Sequence, residues 1–105
     1  MLFIETPMFT KLILKWLPDD SYKQLQETLI LRPNTGQIIQ RSGGIRKMRW
    51  NLPGSGKSGG LRVIYYWDVG NDTIYMLLIY MKSKKEDLTA AQIKILRQLV
   101  KEWLK

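Results

Sequence analysis

Apolar residues along this chain recur first at helical spacing and then at strand spacing. Leu2 to Glu5 is short and alternating enough for an edge strand. Thr6-Pro7 reads as a helix start, because a threonine oxygen can accept a free N–H and a proline at the first helical position sacrifices no hydrogen bond. Phe9, Leu12, Ile13 and Trp16 then repeat at three- and four-residue intervals, which predicts a core-facing stripe. Pro18 ends that helix, and Asp19-Asp20-Ser21 offers an N-cap with negative charge suited to the start of a second. Tyr22, Leu25, Leu29 and Ile30 are expected to face inward, and Pro33 closes the helix by disfavouring helical backbone at Arg32. So short a connection predicts a helical hairpin.

The period changes to two after the Asn34-Thr35-Gly36 turn signal and Ser42-Gly43-Gly44. In Ile45 to Trp50 one face takes Met48 and Trp50, and the other takes Lys47 and Arg49. Asn51 to Gly60, rich in glycine, is expected to be a loop. Leu61 to Trp67 and Thr73 to Met81 are dense in β-branched and aromatic residues and flank an Asp68-to-Asp72 turn, so they predict an antiparallel hairpin. Thr89 to Leu104 reads as a helix with a Thr89…Gln92 capping box and a stripe of Ile93, Leu96, Leu99, Val100 and Trp103. The order β-α-α-β-β-β-α predicts an α+β fold: a small antiparallel sheet with an N-terminal helical hairpin and a C-terminal helix. Residues 1–105 suit one domain, with no repeat and no linker.

Composition narrows the chemistry sharply. The chain has no Cys and no His, which removes thiolate nucleophiles, imidazole bases and the common zinc sites. The longest apolar run, Ile74 to Met81, falls far short of the ~20 residues that span a bilayer, so a cytoplasmic protein with no membrane partner is expected. The net charge is +8, and its placement matters more than its size. Arg41, Arg46, Lys47, Arg49, Lys57 and Arg62 fall in one segment that contains no acid, with Trp50, Tyr65, Tyr66 and Trp67 close by. Clustered cations suit phosphates, and aromatic rings suit bases, so a polyanion is the expected partner.

Two motifs fail as catalytic signatures. Gly56-Lys57-Ser58 resembles the end of a Walker A loop, but Asn51 stands where its first glycine is required, and a strand follows rather than a helix. Asp19/Asp20 and Glu86/Asp87 are adjacent acids at helix starts, for which capping is the ordinary explanation, so no metal and no other cofactor is expected. A constellation of cations and one phenol remains: Lys47, Arg49, Lys57, Arg62, Tyr80 and Lys82. If Gly70-Asn71-Asp72 forms a three-residue hairpin loop, with Val69 opposite Thr73, Arg62 falls directly opposite Tyr80 and on the face of Tyr66. Following Gly59-Gly60 at a strand start, the Arg62 side chain is expected to point at solvent.

The runs Gly43-Gly44-Ile45-Arg46-Lys47-Met48-Arg49, Gly56 to Tyr66 and Ile79-Tyr80-Met81-Lys82, with Asp87-Leu88-Thr89 behind them, resemble the HigB branch of the RelE/ParE toxins. The resemblance extends in order through Leu17-Pro18-Asp19-Asp20 and Arg32-Pro33-Asn34-Thr35-Gly36. It implies the toxin half of a bacterial type II toxin–antitoxin module, a cognate antitoxin, and cleavage of messenger RNA on the ribosome. A gyrase poison of the ParE type shares the fold and is the alternative; a noncatalytic RNA-binding module is a third reading. The family's loop is often richer in lysine than Pro53 to Lys57 is here.

Cutting RNA through its own 2′-OH needs neither water nor a metal, in keeping with this composition. A base takes the 2′ proton, cations stabilise the phosphorane, and an acid protonates the leaving 5′ oxygen. In that scheme Lys57 is the candidate base, with Arg49 and Arg62 lowering its pKa. Arg62 holds the phosphate by a bidentate fork, and Tyr80 orients the nucleophile or stacks on a base. Arg46, Lys47, Arg49, Tyr66 and Lys82 are the expected RNA contacts.

Overall fold

In the computed structural model, residues 1–51, 60–82 and 87–103 are described. The elements are β1 (Leu2–Glu5), α1 (Pro7–Trp16), α2 (Asp19–Leu31), β2 (Gln37–Ile38), β3 (Arg46–Trp50), β4 (Leu61–Asp68), β5 (Thr73–Met81) and α3 (Ala90–Trp103). Lys57 and most of the expected glycine-rich loop lie outside the described residues, as does Glu86. No helix among the described residues is long and apolar enough to cross a membrane.

The near-continuous apolar runs of β4 and β5 exist because both faces of these central strands are covered. On one face Met48, Leu61, Val63, Tyr65, Ile74, Met76 and Ile79 meet Phe9, Ile13, Leu25 and Leu29 of α1 and α2. On the other, Ile45, Ile64, Tyr75, Leu77 and Tyr80 meet Val100 and the half-buried Leu96 and Trp103 of α3. The ring of Trp103 stacks on Tyr75 at 4.9 Å between centroids. The α+β architecture is therefore three layers deep, with the helical pair and α3 on opposite sides of one five-stranded sheet.

Both caps read from the sequence at α1 and α3 are present. The Thr6 hydroxyl accepts from the N–H of Phe9 with Pro7 at the first position, and Thr89 and Gln92 exchange reciprocal bonds of 2.9 and 3.2 Å. The start of α2 differs from expectation. Pro18 takes the cap position with no side-chain bond, while Asp19 and Asp20 sit inside the first turn, where their charge meets the positive end of the helix dipole. Ile30 is 51% exposed rather than inward, because α2 turns Leu25 and Leu29 to the core and Ile30 falls off that stripe.

The sheet order is β1-β5-β4-β3-β2. It is antiparallel from β2 to β5, but β1 joins β5 in parallel, which corrects the expectation of a wholly antiparallel sheet. Parallel pairing needs a crossover, and the two helices between β1 and the rest of the sheet supply it. β2 has only two residues, too few to show a period, and was not anticipated. It returns into β3 through a turn in which Gly43 and Gly44 take φ of 78° and 104°, backbone that favours glycine.

The β4–β5 register places Arg62 opposite Tyr80 as expected, for a different reason. The turn is one residue longer than assumed, since Asp68 rather than Val69 pairs with Thr73. A β-bulge then restores the offset: Ile64 faces Leu78 and Tyr65 faces Met76, leaving Leu77 between them as the extra residue. The bulge has its own anchor, because the buried Thr6 hydroxyl donates 2.8 Å to the Leu77 carbonyl. One threonine thus caps α1 and holds the bulge that aligns Arg62 with Tyr80.

Candidate functional site

β3 delivers its cations to two different faces, because alternate residues of a strand point to opposite sides. Lys47 and Arg49 share the α3 side, and Arg49 is cross-strand partner to Arg62 of β4. Like charges placed directly opposite each other oppose strand pairing, so this pair is retained against local stability. Lys47, Arg49, Arg62 and Lys82 line one groove of about 470 Å³, together with Thr35, Gln37 and Met48. Three of the expected RNA contacts and the expected catalytic Arg62 are thereby brought together.

Arg62 is buried, at 8% exposure, which corrects the expectation that its side chain points at solvent. Its guanidinium lies back against the strand, with Nη1 3.3 Å from the Leu61 carbonyl and close to the position a Gly60 Cβ would fill. Truncation to alanine would open space in the sheet, so it is not a neutral surface change.

Tyr80, opposite Arg62, is buried among the residues packed under α3. Burial raises its phenol pKa and the Asp87 carboxylate raises it further, against the opposing charge of Arg62. The hydroxyl is therefore protonated at neutral pH, suited to donating a hydrogen bond.

Two expected contacts, Arg46 and Tyr66, are used elsewhere, and so is the neighbouring Tyr65. Arg46 lies on the opposite face and donates to the carbonyls of Gly36 at 2.7 Å and Asn34 at 3.3 Å, holding the turn before β2. Tyr66 packs with Tyr75 in the α3-side cluster, its ring against Gly44, and is not among the groove-lining residues. Tyr65 is fully buried; its hydroxyl donates to Pro33 O and accepts from Gly36 N–H, both at 2.8 Å, and burial raises its pKa. A Cβ on Gly36 would meet Tyr65 Cε1 at 2.9 Å, so this contact requires glycine. Lys57 belongs to the segment connecting Trp50 to Leu61, a cross-strand pair next to Arg49 and Arg62.

One partner of the groove's Lys47, lying in the adjoining pocket, escaped the sequence reading. Asp87 does not cap α3 but forms a 2.8 Å ion pair with Lys47. Nothing local marks it, since the two residues are forty positions apart and only the packing of the segment before α3 against β3 joins them. Its carboxyl is held below the usual range by the Lys47 hydrogen bond and charge, with smaller contributions from Lys82 and Arg62.

Residues 10–105 match the family model described as the RelE toxin of the RelE / RelB toxin-antitoxin system. This chain belongs to the RelE toxin family. A solved structure of a mutant E. coli toxin RelE in the free state superposes with a TM-score of 0.56 at 15% identity, covering 81% of this chain and 86% of that one. At that identity the likeness shows a shared fold, with three helices against a five-stranded sheet. Membership of the RelE family gives this chain its place in a type II toxin–antitoxin system and implies an antitoxin as partner.

Proposed function

We propose that this RelE-family toxin is a ribosome-dependent endoribonuclease of the HigB branch, which cuts messenger RNA by using the RNA 2′-OH as nucleophile. The observation that carries this reading is the convergence of Lys47, Arg49, Arg62 and Lys82 on one groove. A phosphorane carries more negative charge than the phosphodiester it forms from, and fixed cations stabilise that difference without reorganising. Arg62, partly withdrawn from water, is the strongest such group, because its charge is less screened than that of an exposed side chain. Lys82 follows the end of β5, two positions beyond Tyr80, and Lys47 and Arg49 reach the groove from the neighbouring strand. Tyr80, its hydroxyl buried outside the groove lining, is proposed to orient the phosphate through Arg62, its cross-strand partner, while the leaving 5′ oxygen takes its proton from water. Lys57 is proposed as the base that takes the 2′ proton, as the bond from the 2′ oxygen to phosphorus forms and the bond to the 5′ oxygen breaks. The reaction is proposed to occur in the cytoplasm.

Toxin added to a translating extract is expected to cut the transcript in the presence of EDTA and to leave a 2′,3′-cyclic or 3′ phosphate. A transcript with a 2′-deoxy nucleotide at the cut site is expected to survive. Cleavage of the deoxy substrate would overturn the 2′-OH mechanism, and accumulation of gyrase–DNA breaks with intact transcripts would establish a gyrase poison instead. Affinity for single-stranded RNA is expected to fall with salt at a log–log slope of roughly −3, at ~0.7 per phosphate contact for four contacts. Lys47→Ala and Arg49→Ala are each expected to reduce that slope by about 0.7 without unfolding the protein, as a salt titration of binding would measure. A slope near zero in the wild type would remove RNA as the ligand.

A further inference from the structure

Beside the cationic groove, in an adjoining pocket that shares Gln37 and Lys47 with it, lies the Asp87 carboxylate. Asp87 is 69% exposed, so burial does not hold it, and the cap of α3 is supplied by Thr89 and Gln92. Exposed ion pairs contribute little to stability, which leaves the Lys47–Asp87 contact without a folding rationale. Its position is specific all the same: Oδ1 lies 2.8 Å from Lys47 Nζ, and the carboxylate responds to the charges of Lys82 and Arg62 as well. An ammonium group sees the same thing in a carboxylate oxygen and a phosphate oxygen, an anionic acceptor at hydrogen-bond distance.

We propose that Asp87 occupies the position of a substrate phosphate oxygen on Lys47, and that a phosphate group must displace it to engage Lys47. This deepens the nuclease reading, on which it rests for the identity of the natural ligand as RNA. The carboxylate makes the groove selective. A single weakly held anion must break the Lys47–Asp87 pair in exchange for one similar contact. A ligand that engages Arg49, Arg62 and Lys82 together has additional contacts to offset that loss, so the groove favours a phosphate seated across the whole cluster.

Binding of inorganic pyrophosphate, measured by calorimetry at low salt, tests the displacement without requiring cleavage. Asp87→Asn is expected to bind on the order of tenfold tighter than wild type, since both the competing acceptor and its repulsion of the incoming anion are removed. Glu27→Gln makes the same charge change at an exposed position on α2 and is expected to leave affinity unchanged. Adding Lys47→Ala to Asp87→Asn is expected to abolish the gain. No gain in the Asp87→Asn protein, including no measurable binding, overturns the proposal, as does an equal gain in Glu27→Gln. A parallel titration with a 2′-O-methyl RNA, which cannot be cut through its 2′ position, separates the two claims. A pyrophosphate gain without RNA binding by either protein leaves the phosphate position standing and removes RNA as its ligand. RNA binding that Asp87→Asn does not strengthen, with no pyrophosphate gain, removes the displacement and leaves the nuclease reading in place.

Discussion

Arg62→Met is expected to lower RNA cleavage by on the order of a hundredfold, as loss of one preorganised charge-stabilising donor does elsewhere, while the melting temperature stays level or rises. Two opposing contributions set the stability outcome. The arginine stem is buried, so cutting it back to alanine would leave a cavity, but methionine retains most of that volume and adapts to irregular space. The guanidinium itself is a burden on the fold: it sits out of water, opposite Arg49 in the β3–β4 ladder, with Lys47 and Lys82 lining the same groove. Replacing buried charge with an apolar side chain of similar size is often neutral or stabilising. Single-turnover cleavage beside a thermal melt measures both quantities on one sample. Undiminished cleavage would take Arg62 out of the site, whereas a melting temperature lower by more than about 5 °C would show that the guanidinium supports the sheet.

Thr6→Val is expected to destabilise the protein by roughly 2–4 kcal/mol. Valine keeps the shape and removes the hydroxyl, which serves two elements at once. Loss of the N-cap of α1 costs about 0.5–2 kcal/mol, and leaving the buried Leu77 carbonyl without its donor costs about 1–3 kcal/mol. Because Leu77 is the extra residue of the bulge, the loss also falls on the register that sets Arg62 against Tyr80. Cleavage is therefore expected to fall at temperatures where the variant remains folded. Denaturant unfolding with a cleavage assay below the transition tests this. A drop in stability with full activity would show that the bulge holds without Thr6.

Much of the secondary structure was legible because its signals are local. Thr6-Pro7, the Thr89…Gln92 box, the two apolar stripes and the β-branched runs of β4 and β5 each state their conformation within a few residues. What the local pattern did not carry was any feature whose cause lies elsewhere in the chain. β2 is a strand only because β3 lies beside it, and β1 is parallel because of where the helical pair returns the chain. The bulge at Leu77 illustrates the point from the other side: a turn assumed one residue short and a bulge not foreseen offset each other, so the Arg62–Tyr80 pairing was reached through a mistaken loop.

The same division runs through the site. Residue types alone excluded imidazole and thiol chemistry and gathered six cations into one segment, since composition and charge order need no coordinates. Strand alternation then placed Lys47 and Arg49 together, because a period of two is a property of the backbone itself. Tertiary structure decided which of the expected cations serve the groove: it gave Arg46 to the Asn34–Gly36 turn, buried Arg62, kept Lys82 at the groove from the end of β5 and set Asp87 against Lys47. The physical reason is that charge and periodicity are inherited along the chain. Burial and ion pairing depend on what two distant segments bring to the same few ångströms, as Lys47 and Asp87 do.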